Sequence, residues 1–327
     1  KTVHWKFVPD SNARWLALAK GEADVIYDPP SVKWKEAQSK YKVSQQFAPG
    51  RNQALSLNIE AGIFTDPRVR QAFAYASNRR QIAESVFRGA VPYEGNGALS
   101  RTTQEYLDLD DQYPHDPAKA VELLEQAGFG KINTEGYRIN ADGKVLTAVY
   151  PLYPTLINAE GVIAAQALQA AVKKVGFKLD TVLLTQTELA AGRYTKADEY
   201  DIYQGYWTWD APTVLSINFR PAGENTSTST IYGRQQLNQY ASDSGNPNPH
   251  NRARSRDWKL QDAIIAAHAE TDPAARKSRF DQIQRQVSDQ ALALGFYASA
   301  YNVVQQPYLN GLLHNTDAPW FYAVRKD

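Results

Sequence analysis

The 327-residue sequence has no cysteine and no methionine. The absence of cysteine excludes disulfides, thiolate metal sites and a cysteine nucleophile, but it leaves the compartment open. Charge of one sign is also lacking: 36 Lys+Arg stand against 35 Asp+Glu, a formal net charge of +1. That balance argues against non-specific binding to nucleic acid or to a membrane surface, which needs a basic excess. No apolar run approaches the roughly 18 residues that a spanning helix requires. No period of about 20–50 residues repeats, so a solenoid is excluded.

The hydrophobic share of 43% and charged share of 22% are those of a globular chain with a substantial core. The length suits about two domains of roughly 150 residues each. Aromatics reach 11%, with 19 Tyr and 7 Trp, a supply that serves either core packing or a ring-lined ligand cleft.

Punctuation along the chain predicts alternating strands and helices. Residues 2–8 alternate and read as a strand, broken by Pro9. Asp10 or Ser11 then caps a helix over 12–20, with Gly21 as its stop. A short strand at 23–27 ends at Pro29-Pro30. Another strand covers 53–59, and 50–53 is a plausible crossing between two lobes. Asp66-Pro67 starts a helix or broken pair over 67–88, and Asp116-Pro117 starts a second helix stopped by Gly128. Strands at 145–150 and 177–184 flank a helix over 159–175. A short helix at 187–192 precedes an aromatic strand at 200–209. A polar, irregular stretch over 218–250 is followed by helices at 258–268 and 273–292 and a closing strand at 294–304. The pattern is mixed α/β.

Catalytic signatures are missing. There is no G-x-S-x-G, no H-E-x-x-H and no G-x-x-x-x-G-K-[ST]. His4, His115, His250, His268 and His314 share no metal-ligand spacing, so no metal or cofactor is expected. Gly95-Asn96-Gly97 lacks the third glycine and the strand-to-helix setting of a phosphate cradle. Asn96 remains a candidate ligand contact. Asp110-Asp111 reads as a solvated loop.

The most informative stretch is Tyr203-Gln204-Gly205-Tyr206-Trp207-Thr208-Trp209-Asp210. In a strand, Tyr203, Gly205, Trp207 and Trp209 share one face. Two indoles beside a glycine make a stacking platform, and Asp210 at its end can hold a cationic or hydroxyl-bearing ligand. A buried aromatic strand with Asp210 as a turn residue fits the same residues equally well.

Several segments, in order, resemble the family 5 extracellular solute-binding proteins, the dipeptide, oligopeptide and nickel receptors of bacterial ABC importers. Asn58 with Asp66-Pro67-Arg68-Val69-Arg70-Gln71-Ala72 resembles the family's N…D-x-R-V-R-Q-A signature, with Asn78-Arg79 where Asp-Arg is common. Asp116-Pro117-Ala118-Lys119-Ala120, Leu123-Leu124 and Ala127-Gly128-Phe129 are similar to its D-P-x-K-A-x-x-L-L-x-x-A-G-[FW]. Residues 165–176, Tyr200-Asp201-Ile202 with Trp207-Thr208-Trp209, Asn251-Arg252 and residues 271–276 continue the likeness.

The resemblance implies a non-enzymatic α/β receptor with a two-lobed, type II periplasmic-binding-protein-like clamshell and mixed sheets. Residues 1–50 would belong to lobe one, 51–300 to lobe two, and 301–327 would return to lobe one. The N-terminal part of lobe one is expected to be absent. The resemblance further implies a monomer that delivers a peptide or peptide-like solute to a membrane permease, in the periplasm or on a lipid anchor. On it, Asp210 would hold a peptide amino terminus and Arg193 a carboxylate, beside Tyr203, Tyr206, Trp207, Thr208 and Trp209. Thr208-Trp209-Asp210-Ala211-Pro212 matches half of the nickel receptors' T-W-x-A-P…Y-D-P-H, and Thr213-Val214-Leu215 departs from the rest. Sugar-, opine- or chelate-binding of the same fold is the alternative cargo. A carboxylate-dependent hydrolase is the alternative class.

Overall fold

A computed structural model describes residues 2–153, 157–194, 196–205, 215–216, 218–219, 251–314, 319–321 and 323–326. Most helix starts follow the sequence closely because they begin at a side chain that bonds a free backbone N–H of the first turn. Asp10 caps α1 (Ser11–Ala19), accepting from Ala13 N, and Asp66 caps α3 (Pro67–Ala76). Asp116 caps α5 (Pro117–Gln126) and Asn158 caps α6 (Ala159–Lys173). Asp257 and Asp272 cap α8 (Trp258–Ala269) and α9 (Pro273–Asp289). The helix expected over 67–88 is a broken pair, because Asn78 adopts φ 45 between α3 and α4 (Arg79–Phe87). Two further helices, α2 (Trp34–Lys40) and α7 (Gln186–Ala190), are short. Among these, α2 has no strong cap and was not legible.

The central sheet has the order β1 (Val25–Tyr27), β8 (Ala293–Gln305), β2 (Lys42–Leu57), β7 (Ile202–Gly205), with every neighbour antiparallel. A parallel pair, β5 (Thr147–Leu152) and β6 (Lys178–Leu183), is joined by α6. The short pairs are β3 (Lys131–Ile132) with β4 (Arg138–Ile139), β9 (Leu309–Asn310) with β12 (Arg325–Lys326), and β10 (Leu313–His314) with β11 (Pro319–Trp320).

Two strand expectations need correction. Residues 2–8 form no strand, and Val3, Trp5 and Phe7 are exposed. Alternation supplies two faces, but a strand also needs a hydrogen-bonding neighbour, and none of the described strands lies beside it. Trp5 instead meets the rings of Tyr27 and Phe321. Strand β2 is much longer than the expected 53–59. Pro49-Gly50 looks like a stop, yet pairing resumes past it: between the pairs Phe47–Ala300 and Asn52–Ala298, residues 48–51 of β2 stand against residue 299 of β8.

The largest core cluster packs α3, α4, α5 and α6 around Phe73, Phe87, Tyr150, Phe177 and Phe296. A second joins α8 and α9 through Leu260, Ile264, Phe280 and Val287. A third holds the start of the chain, with Trp15, Leu18, Ile26 and Trp34 against Ala90 and Val304. Among the described residues no helix is long and apolar enough to cross a membrane.

Candidate functional site

A cavity of about 430 Å³ lies where three separate stretches meet. One wall comes from the start of α1 and the turn after β1, with Asp10, Arg14, Asp28 and Ser31. A second wall is the N-terminus of α6, with Asn158, Ala159 and Glu160. Residues 297–302 of β8 supply the third, together with Gln53, Phe87 and Val91. The size falls in the usual range for small-molecule sites, roughly 300–1,000 Å³.

Arg14 is locked by the backbone around it. Nε donates to Tyr27 O at 2.9 Å, Nη1 to Val8 O at 2.8 Å and Pro9 O at 2.7 Å, and Nη2 to Asp28 O at 3.0 Å. Asp28 sits at φ 41, a conformation Asp tolerates better than most residues. Its N–H donates to Asn302 O at 2.7 Å, and Asn302 N–H returns a bond to Asp28 Oδ1 at 3.0 Å. Asp28 lines the cavity and keeps an exposed edge. Loss of water there pushes the carboxyl up, helped by the nearby Glu160 and opposed by the Asn302 bond and Arg14. Glu160 Oε1 accepts from Ser31 N at 2.7 Å, which ties the two walls together.

Behind the cavity a buried polar network leads to β7. The Tyr150 hydroxyl donates to Gln204 Oε1, and Gln204 Nε2 donates to Tyr297 Oη at 2.8 Å and Gln53 Oε1 at 3.2 Å. Tyr297 also packs on Phe87, ring centroids 4.4 Å apart. Gln204 is fully buried, so leaving any of these groups unpaired is costly.

The residues singled out in the sequence are spread apart. Tyr203 is buried in an aromatic cluster with Tyr153, Tyr200 and Leu184. The Arg252 guanidinium lies 4.5 Å from the Tyr203 ring centroid. Burial pushes the Tyr203 phenol up, against the pull of Arg252. Arg193 is exposed, paired with Glu188 and stacked near Tyr194. Asn96 is buried, and its side chain binds Leu107 O, Gln284 Oε1 and the amides of Ala98 and Leu99. None of Tyr203, Arg193 and Asn96 lines the cavity. Tyr206, Trp207, Thr208, Trp209 and Asp210 lie outside the described residues.

The cavity residues Arg14, Asp28, Glu160 and Tyr297 carried no local signal of a site. Asp28 reads as a strand end before Pro29-Pro30, and Glu160 as an ordinary first-turn acid. No group of three or more His, Cys, Asp or Glu that could hold a metal occurs among the described residues.

The sequence model of the bacterial extracellular solute-binding proteins, family 5 Middle, matches residues 1–226. The chain belongs to this family. Heme-binding protein A of Haemophilus influenzae is 35% identical over 123 residues, 37% of this chain and 22% of that protein. Glutathione-binding protein GsiB of Pectobacterium atrosepticum is 34% identical over 130 residues, 39% of this chain and 25% of the relative. The dipeptide-binding protein of Escherichia coli is 29% identical over 210 residues, 64% of this chain and 37% of the relative. Among solved structures, NikA of Brucella suis in complex with Fe(III)-EDTA superposes with a TM-score of 0.70 at 20% identity. The match covers 94% of this chain and 58% of NikA. AppA of Bacillus subtilis in complex with a nonapeptide gives 0.68 at 18% identity, covering 96% of this chain and 59% of AppA. Matched regions therefore span from about a fifth to under two thirds of these family members' own lengths. These superpositions establish the type II periplasmic-binding-protein-like α/β fold.

Proposed function

We propose that the chain is the solute-capturing part of an extracytoplasmic receptor for an ABC importer, not an enzyme. The observation that carries this is the cavity assembled from the first 31 residues, the start of α6 and β8 in a member of a solute-binding family. Strands β2 and β8 supply the hinge at their irregular pairing around residues 48–51, where pairing is weakest. Residues 1–50 and 301–327 form one lobe and 51–300 the other. The cluster around Trp15 and Trp34, in which every residue but Ala90 falls within 1–50 or 301–327, supports that division. Closure of the lobes removes water from the cavity and strengthens its polar contacts. The cargo is a peptide or peptide-like solute, in keeping with the dipeptide-binding relative and the nonapeptide-bound AppA. Asp210 with Trp207 and Trp209 contributes further ligand contacts. The receptor acts as a monomer beside a membrane permease, in the periplasm or tethered by lipid.

Native and denaturing mass spectra of the purified protein test this reading. A small adduct present natively and lost on denaturation supports capture and gives the cargo mass. Turnover of a peptide or glycoside by the purified protein refutes it in favour of a hydrolase.

A further inference from the structure

We propose that the cavity selects a solute presenting an ammonium or guanidinium group to the carboxylates of Asp28 and Glu160. The inference rests on the receptor reading and names the chemistry of its cargo.

Three carboxylates, Asp10, Asp28 and Glu160, line the cavity against the single guanidinium of Arg14. Arg14 directs its donors to four backbone carbonyls and to no carboxylate. Each acid in turn takes a backbone amide: Asp10 from Ala13, Asp28 from Asn302, Glu160 from Ser31. No side-chain cation forms an ion pair with any of the three among the described residues. A carboxylate bonded by one amide keeps acceptor capacity on its second oxygen. Asp28 and Glu160 both line the cavity, close enough that the charge of Glu160 repels charge on Asp28. A cation placed there relieves that repulsion and gains charge-assisted bonds, in a concave site where charges act more strongly than in open water. An anion meets like charge, with the Arg14 donors already engaged. The acids do not converge as a metal site, which favours an organic cation over a divalent ion.

The test uses the full-length protein in titration calorimetry at neutral pH. The probes are the tripeptides Ala-Lys-Ala, Ala-Ala-Ala and Ala-Glu-Ala, with agmatine as a non-peptide cation. The tripeptides share their termini, so contacts to the ends cancel. Ala-Lys-Ala is expected to bind at least tenfold more tightly than Ala-Glu-Ala. In the double variant Asp28→Asn/Glu160→Gln the difference is expected to shrink below threefold. Both replacements can keep the amide bonds from Asn302 and Ser31, and Asn tolerates the positive φ at position 28. Equal affinities, a preference for Ala-Glu-Ala, or a lysine preference that survives in the double variant overturns the proposal. Failure of all four probes, with a solute still co-purifying, overturns this inference alone. Failure of all four with no co-purifying solute overturns the receptor reading as well.

Discussion

Glu94 offers a direct test of how burial acts on charge in this fold. Its side chain is fully inaccessible, in the loop that packs across β8. Oε1 accepts from Arg101 N at 2.5 Å, while Oε2 and Arg101 Nε face each other at 3.8 Å, neither with a hydrogen-bond partner. Loss of water dominates and pushes the carboxyl up to about 7, against the amide bond and charge of Arg101 and with help from Asp110. An acid whose folded value is raised binds its proton more tightly when folded. Its cost is therefore absent below pH 4.5, grows as pH rises towards 7, and is complete above that. A shift from 4.5 to about 7 corresponds to an order-of-magnitude cost of ~3 kcal/mol at pH 8. Glu94→Gln removes the ionisation and keeps an acceptor for Arg101 N. Melting curves from pH 4.5 to 8 should show the variant gaining on the parent by several degrees across that range, at roughly 1–2 °C per kcal/mol for a chain of this length. The slope of the difference is the readout, since the variant also loses the attraction to Arg101 at every pH where Glu94 is charged. Parallel profiles for the two proteins, or a variant that loses ground at pH 8, would refute the reasoning.

Two further substitutions probe the framework behind the cavity. Gln204→Leu removes one hydrogen bond each from Tyr150, Gln53 and Tyr297 at once and should cost about 2–4 kcal/mol in denaturant unfolding; a loss under about 0.5 kcal/mol would show that the network does not hold β7 to β8. Gly295→Ala drives a methyl into the backbone of Glu94 and Gly95, so the loop must leave β8, and limited proteolysis should cut within residues 92–110 sooner than in the parent. Unchanged cutting would mean that the loop has room to yield in place.

Legibility tracked the range of the interactions involved. Asp10, Asp66 and Asp116 start helices through bonds within three residues, and those starts stood out in the sequence. The α/β class and the family were equally visible, because their signals lie in local periodicity and short ordered motifs. The alternation at residues 2–8 misled, because pairing depends on a neighbour that local pattern does not encode. Pro49-Gly50 misled in the other direction: a turn-like dipeptide is carried inside a long strand by pairing on both sides with β8.

The sequence by itself determined the caps, the helix faces, the mixed α/β class and membership among solute-binding proteins. Only the tertiary structure decided the cavity. It brings Arg14 and Asp28 within reach of Glu160, more than a hundred residues away, and of Asn302, at the far end of the chain. Those residues are unremarkable in their own neighbourhoods. Their chemistry arises from the register of β1 and β2 on β8 and from the aim of one helix N-terminus, both fixed by long-range packing.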